Sequence, residues 1–244
     1  MLNNFIAAYL LIVLPTVCLW RSLRAKSGER ATPLMRRYCV RSCEVLILLA
    51  LLWIGCMQVG YTPRQIGFDF PLSYAGAWGL GFAVLLIGGL LAADKLLVHR
   101  QTPQERADSE RELLDSPVPW PTTGREVLAF VLSAALITAA WEILYRGFIL
   151  LLLAPACGLP LAIIASSVAY GVAHGYQDLK KLIRSILAAL AFTIAYALTH
   201  SLWWLIIIHA AVPLMAVPAV LRARRNRETE LANEGLERME LDQR

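Results

Sequence analysis

Apolar residues gather in long blocks almost free of charge, separated by short basic or mixed segments. A helix that crosses a bilayer needs about 20 mostly apolar residues, with roughly 17–25 tolerated. By that measure the pattern predicts seven spans: Leu2–Trp20, Val45–Val59, Gly76–Val98, Glu126–Ala154, Leu159–Ala173, Leu182–Leu198 and Leu202–Leu221. Glu142 and Arg146 interrupt the fourth. Splitting it there would give an eighth span and break the alternation of sides. The expected fold class is all-α, a polytopic transmembrane helix bundle of about seven spans, eight if the fourth divides. Four regions follow: three N-terminal helices (1–98), a proline-bearing linker (99–125), a helical core (126–221) and a charged tail (222–244). No Lys or Arg precedes Leu2–Trp20, so it reads as a retained span rather than a cleaved signal. Glu228–Arg244 alternates charge signs without an apolar stripe, and exposed helix and partial disorder are expected equally.

Composition agrees. Of 244 residues, 58% are hydrophobic and 17% charged, against roughly 45–50% and about 25% in soluble domains. That excludes an ordinary soluble enzyme, a disordered chain and a disulfide scaffold. The net charge of +5 does not point to nucleic acid, because it clusters in Arg21–Arg41 and Arg222–Arg227, directly beside apolar blocks. Such juxtamembrane basic segments face anionic lipid headgroups and mark the cytoplasmic side. The opposite loops carry only Arg64 and Asp69. The expected orientation puts the N-terminus outside and the tail in the cytoplasm, in a plasma (inner) membrane. The five cysteines are odd in number and lack zinc-ribbon spacing, so they read as free thiols. Cys39 and Cys43 are one helical turn apart, with no further ligand near them in sequence.

An ionisable group inside a bilayer costs about 2.5–3.5 kcal/mol on insertion scales, so each one needs a reason. Glu142 and Arg146 are spaced i,i+4 with the acid first, the better orientation for an intrahelical ion pair. His174 ends the fifth span, four residues after Tyr170 and on the same helix face. His209 lies among Ile206-Ile207-Ile208 and Ala210-Ala211, where a lone imidazole is poorly solvated. At about 1.5 Å per residue from each outer end, Glu142 and His174 fall roughly 20 Å deep and His209 about 10–12 Å. The acid, the guanidinium and two imidazoles are therefore expected to converge in one polar cavity. Such a set suits a general base with an oxyanion donor, a divalent-metal site without a His-Glu-x-x-His string, or a self-neutralising structural pair. Periodicity does not choose among them.

The string Trp141-Glu142-Ile143-Leu144-Tyr145-Arg146-Gly147 resembles the Glu-Glu-x-x-x-Arg motif of the CAAX-protease and bacteriocin-processing (CPBP, or Abi) intramembrane proteases. Tyr170–His174 is similar to their Phe-x-x-x-His motif, and Ser201-Leu202-Trp203 with His209 to the approach to their His-x-x-x-Asn motif. Gln65-Ile66-Gly67-Phe68 resembles a loosely kept segment ahead of that domain. The likeness covers about residues 120–215. It implies an intramembrane endopeptidase acting on a hydrophobic or lipidated peptide. The site residues it implies are Glu142 as acid or base, His174 as its partner, His209 as oxyanion-facing or metal-facing imidazole, and Arg146 as the orienter of Glu142. No cofactor is certain, a divalent metal is left open, and no nucleic-acid partner is expected. In the family pattern the first glutamate falls on Trp141 and the asparagine on Pro213. A non-catalytic relative, acting as a membrane scaffold or a bacteriocin immunity factor, is the alternative. A solute or proton transporter using the same buried groups is a third.

Overall fold

The computed structural model describes residues 1–24, 33–115, 120–174 and 178–242, with side chains described as far as Thr229. Expectations that fall on Lys26, Glu29, Arg30, Pro117 and Pro119, and on tail side chains beyond Thr229, lie outside the described residues. Among the described residues eight helical rods follow one another: α1 (Leu2–Arg24), α2 (Leu34–Val59), α3 (Tyr74–Arg100), α4 (Pro103–Leu114), α5 (Gly124–Cys157), α6 (Leu159–Ala173), α7 (Leu179–Thr199) and α8 (Trp203–Asp242). Six are long and apolar enough to cross a membrane, and α6 is a shorter apolar helix. Those seven are the seven expected spans, and α5 runs through Glu142 and Arg146 without dividing. The chain is a multi-pass membrane protein.

Helix ends follow local chemistry. Thr102 with Glu105, and Thr123 with Glu126, form capping boxes at the starts of α4 and α5, which satisfy the first orphan N–H groups of each helix. The Ser73 hydroxyl accepts from Gly76 N at 2.9 Å at the start of α3. Asp178 accepts from Lys180 N at 2.9 Å before α7. Gly60 closes α2 in the left-handed region, its N–H donating to Cys56 O at 2.8 Å. The second helix begins earlier than expected, at Leu34 rather than Val45. Arg36, Arg37 and Arg41 lie on its exposed first turns, where long side chains carry their charge to water while the stem stays helical. The last helix also exceeds its expected span. Its backbone continues through Pro213 and Pro218 to Asp242, so the proline at 213 does not end it and the tail backbone is helical.

The surface of the bundle is apolar and several of its interior groups are polar. Leu85 is 77% exposed, Leu198 78% and Trp53 61%, while Glu142, Arg146, Ser166 and Ser201 are each 0% exposed. In water that arrangement would be untenable. In hydrocarbon it is the stable one, since lipid solvates the leucines and the polar groups find partners inside. Ser42 and Ser133 share a 2.9 Å hydrogen bond between α2 and α5, and Asn3 donates to Gly55 O at 3.3 Å between α1 and α2.

Two close approaches set the site's frame. The segment 60–73 folds over the start of α8: Leu202 N donates to Gly67 O, and the Tyr196 hydroxyl to Ile66 O, each at 2.9 Å. Gly67 has φ +103°, and a side chain there would strike the Tyr196 ring. Asp69 anchors the same segment, its Oδ2 accepting from Ser73 N at 3.0 Å and Ser73 Oγ at 2.6 Å. Burial alone would raise the Asp69 carboxyl, but hydrogen bonds from Ser73 and Ser201 outweigh it and hold the group below the usual carboxylate range. The other approach joins α6 to α7. A Cβ at Gly171 would lie 2.9 Å from Ile186 Cα and 3.0 Å from its N. Gly171→Ala is therefore expected to force the helices apart and cost about 1–3 kcal/mol, read as a lowered unfolding temperature in detergent. An unchanged temperature would mean that the two helices do not pack through this glycine.

Candidate active site

Two short stretches of the bundle are π-helical, Tyr9–Val13 in α1 and Glu142–Ile149 in α5. A π segment shifts the backbone ladder from i→i+4 to i→i+5, which turns the residues beyond it and displaces carbonyls from their usual donors. Carbonyls in both stretches receive side-chain donors instead. The Tyr145 hydroxyl donates to Leu10 O at 2.8 Å, and Ser166 Oγ donates to Tyr145 O at 2.7 Å. The π stretch of α5 begins at Glu142 itself. Glu142 is buried there, as are Leu144 through Ile149.

Arg146 Nη1 donates to Glu142 Oε1, an intrahelical pair with both side chains withdrawn from the surface. His209, from α8, brings Nδ1 to 2.8 Å from the same oxygen. That approach lies off the hydrogen-bonding direction, so Nδ1 has no formed partner among the described residues. The other carboxylate oxygen, Oε2, is buried and also lacks a protein partner there, as do Arg146 Nε and Nη2.

Tyr170 is the hub of the cluster. The Arg146 guanidinium carbon sits 4.3 Å from the centre of its ring, a cation–π contact. The ring also lies edge-on to His174 at 4.6 Å and tilted to His209 at 6.4 Å, centre to centre. Trp141 stacks on Tyr145 at 5.3 Å and meets Tyr170 edge-on, and Phe192 of α7 packs on His209 at 4.9 Å. His174, at the exposed end of α6, places Nδ1 2.9 Å from Tyr170 O. A carbonyl oxygen only accepts, so Nδ1 carries the proton and Nε2 is the ring's basic nitrogen in the neutral form.

The structure thus brings together all the residues expected at the site, with His174 joined through Tyr170. One expectation fails. His209 and Glu142 do not lie at different depths, because Nδ1 of one is 2.8 Å from Oε1 of the other. Ser201, Leu202, Trp204 and Leu205 at the start of α8 are all buried, Leu202 bonded to Gly67 O of the 60–73 segment, so the end of an apolar block is a poor origin from which to count depth. Sequence reasoning also missed Phe192 and Ser166, and it saw Tyr170 only as a neighbour of His174. The i−4 spacing of Tyr170 was the one signal for its role; Phe192 and Ser166 resemble any other residue of an apolar helix.

As a metal centre the donor set fits poorly. Among the described residues no three His, Cys, Asp or Glu side chains gather as ligands. A cation at Glu142 Oε1 would also lie against the Arg146 guanidinium, which already neutralises that oxygen. No step is therefore derived through a metal.

Fold and site together define a multi-pass helical membrane protein with an acid, a guanidinium and imidazoles gathered between its spans. Residues 123–215, under half of the chain, match the family model described as type II CAAX prenyl endopeptidase Rce1-like. That segment is Rce1-like, in agreement with the resemblance read from its motifs. No curated protein and no solved structure matches the chain.

Proposed function

We propose that this chain is an intramembrane endopeptidase of the CAAX-protease type, hydrolysing a peptide bond of a hydrophobic or prenylated peptide drawn from the bilayer. The observation that carries the reading is the pairing of Glu142 with Arg146 and His209 in a buried cluster inside the Rce1-like segment. Oε1 is committed to Arg146, so Oε2 is the oxygen available to take a proton from water. The water oxygen then bonds to the peptide carbonyl carbon. His209 stabilises the oxyanion by donating a hydrogen bond. As the C–N bond breaks, the proton returns from Glu142 to the leaving amine, directly or through His174 Nε2. Arg146 touches no reacting atom in this scheme and positions Glu142. In this reading the tail faces the cytoplasm from a plasma (inner) membrane, supported by the basic segments beside the spans.

One observation favours the second reading, a non-catalytic relative that binds a hydrophobic peptide. Trp141, where the family pattern has its first glutamate, fills the space beside Tyr145 and Tyr170 with an aromatic ring, and Pro213 stands where the pattern has asparagine. The two readings separate in one assay. Protein reconstituted in bilayers is given a farnesylated CAAX peptide, and products are followed by mass with and without EDTA. The proposed enzyme cleaves, and the chelator changes its rate less than twofold. Retention of intact peptide by the wild type, with cleavage gained only in Trp141→Glu/Pro213→Asn, would establish the non-catalytic reading instead.

A further inference from the structure

Where α1 ends and α2 begins, away from the Glu142 cluster, the bundle holds a cavity of about 1010 Å³. Arg21 of α1 and Arg36, Arg37 and Arg41 of α2 line it, with Ile47 of α2 and Ile137 of α5 also in its wall. Four guanidiniums face one carboxylate, Glu44. That carboxylate is already taken, by Arg41 at 2.8 Å and by the Tyr9 hydroxyl at 3.4 Å. Among the described residues, Arg21, Arg36 and Arg37 pair with no acid. Such unpaired guanidiniums repel one another unless an anion sits among them, and their forked donors match phosphate oxygens.

The apolar wall says what kind of phosphate this is. Ile47 is 60% exposed, and Leu46 and Val40 beside it are 51% and 57% exposed, on helices whose outer faces contact hydrocarbon. Trp20, with Arg24 lying 4.4 Å over its ring, sits at the same end of α1, as interfacial aromatics do. The cavity therefore runs from an arginine-lined mouth at the water boundary into the acyl region. A free phosphate or a nucleotide would leave the apolar part unfilled.

We propose that this cavity is a binding site for an anionic glycerophospholipid of the surrounding leaflet, its phosphate held by Arg21, Arg36 and Arg37 and its chains lying along Ile47 and Ile137. The site is independent of the hydrolytic reading above and stands or falls separately from it. It is also narrower than general attraction of a basic segment to an acidic membrane, because it assigns the binding to particular arginines.

The test is lipid retention by the full chain in detergent, measured by native mass spectrometry. Phosphatidylglycerol or phosphatidylcholine is titrated in, with inorganic phosphate as competitor. Phosphatidylglycerol is expected to bind in preference to phosphatidylcholine. Arg36→Gln/Arg37→Gln is expected to weaken it about tenfold or more, from roughly 1 kcal/mol per basic residue near a lipid surface. Arg36→Lys/Arg37→Lys should weaken it less. Arg225→Gln/Arg227→Gln, which removes the same charge outside the cavity, should change it less than twofold. Equal losses in the glutamine pair and this outer pair would overturn the proposal in favour of diffuse attraction. Equal retention of the two lipids, or complete displacement by millimolar phosphate, would overturn it too. Variants are compared at unfolding temperatures matching wild type. If the glutamine pair does not fold, the lysine pair carries the test, and binding unchanged from wild type in it would overturn the assignment.

Discussion

Arg146→Met is expected to destabilise the protein by about 3–5 kcal/mol, the range found when one partner of a buried ion pair is removed. The reason lies in what remains. Glu142 is 0% exposed, and without the guanidinium its charge has His209 alone nearby. Methionine fills most of the volume, so the loss reflects the stranded carboxylate more than a cavity. The double variant Glu142→Gln/Arg146→Met removes both charges and is expected to recover most of the loss, because replacing a whole buried pair is often close to neutral. Unfolding in detergent by heat or denaturant measures all three proteins. A single variant within 1 kcal/mol of wild type would show that the acid is solvated or protonated, and the buried pair would not be the organising interaction of the site.

Glu142→Gln is expected to reduce hydrolysis of a farnesylated CAAX peptide by about 10²–10⁴-fold, the usual contribution of a positioned general base. Glutamine keeps the shape and a hydrogen-bond acceptor for Arg146 but takes no proton from water. Binding of intact peptide should change far less than turnover. Glu142→Asp retains a base but withdraws it by about one methylene, and it should fall between the two. Turnover in Glu142→Gln equal to that of wild type would remove the carboxylate from the mechanism, whatever its part in stability.

Much of the bundle was legible from the chain because a bilayer imposes a simple rule. Twenty or so uncharged apolar residues must span it, and the blocks Leu2–Trp20 and Leu202–Leu221 obeyed. The buried pair was legible for the same reason, since the i,i+4 spacing of Glu142 and Arg146 fixes one face of one helix. Interactions between rods were not. No periodicity announces a π segment, so the one beginning at Glu142 was invisible, and Tyr170 looked like one more aromatic in an apolar run. The relative depth of His209 and Glu142 was misjudged because apolar length measures how much chain is buried. It does not say where a rod starts, and α8 starts under a loop whose folding depends on Gly67 and Tyr196.

That loop also makes the two ends of the bundle unlike. There Leu202 N is bonded to Gly67 O, with Ser201 and Leu205 buried nearby. His174 lies exposed at the opposite end, where α6 stops. The bundle is therefore unequal at its two ends, tied together through main-chain hydrogen bonding at one and presenting an imidazole at the other.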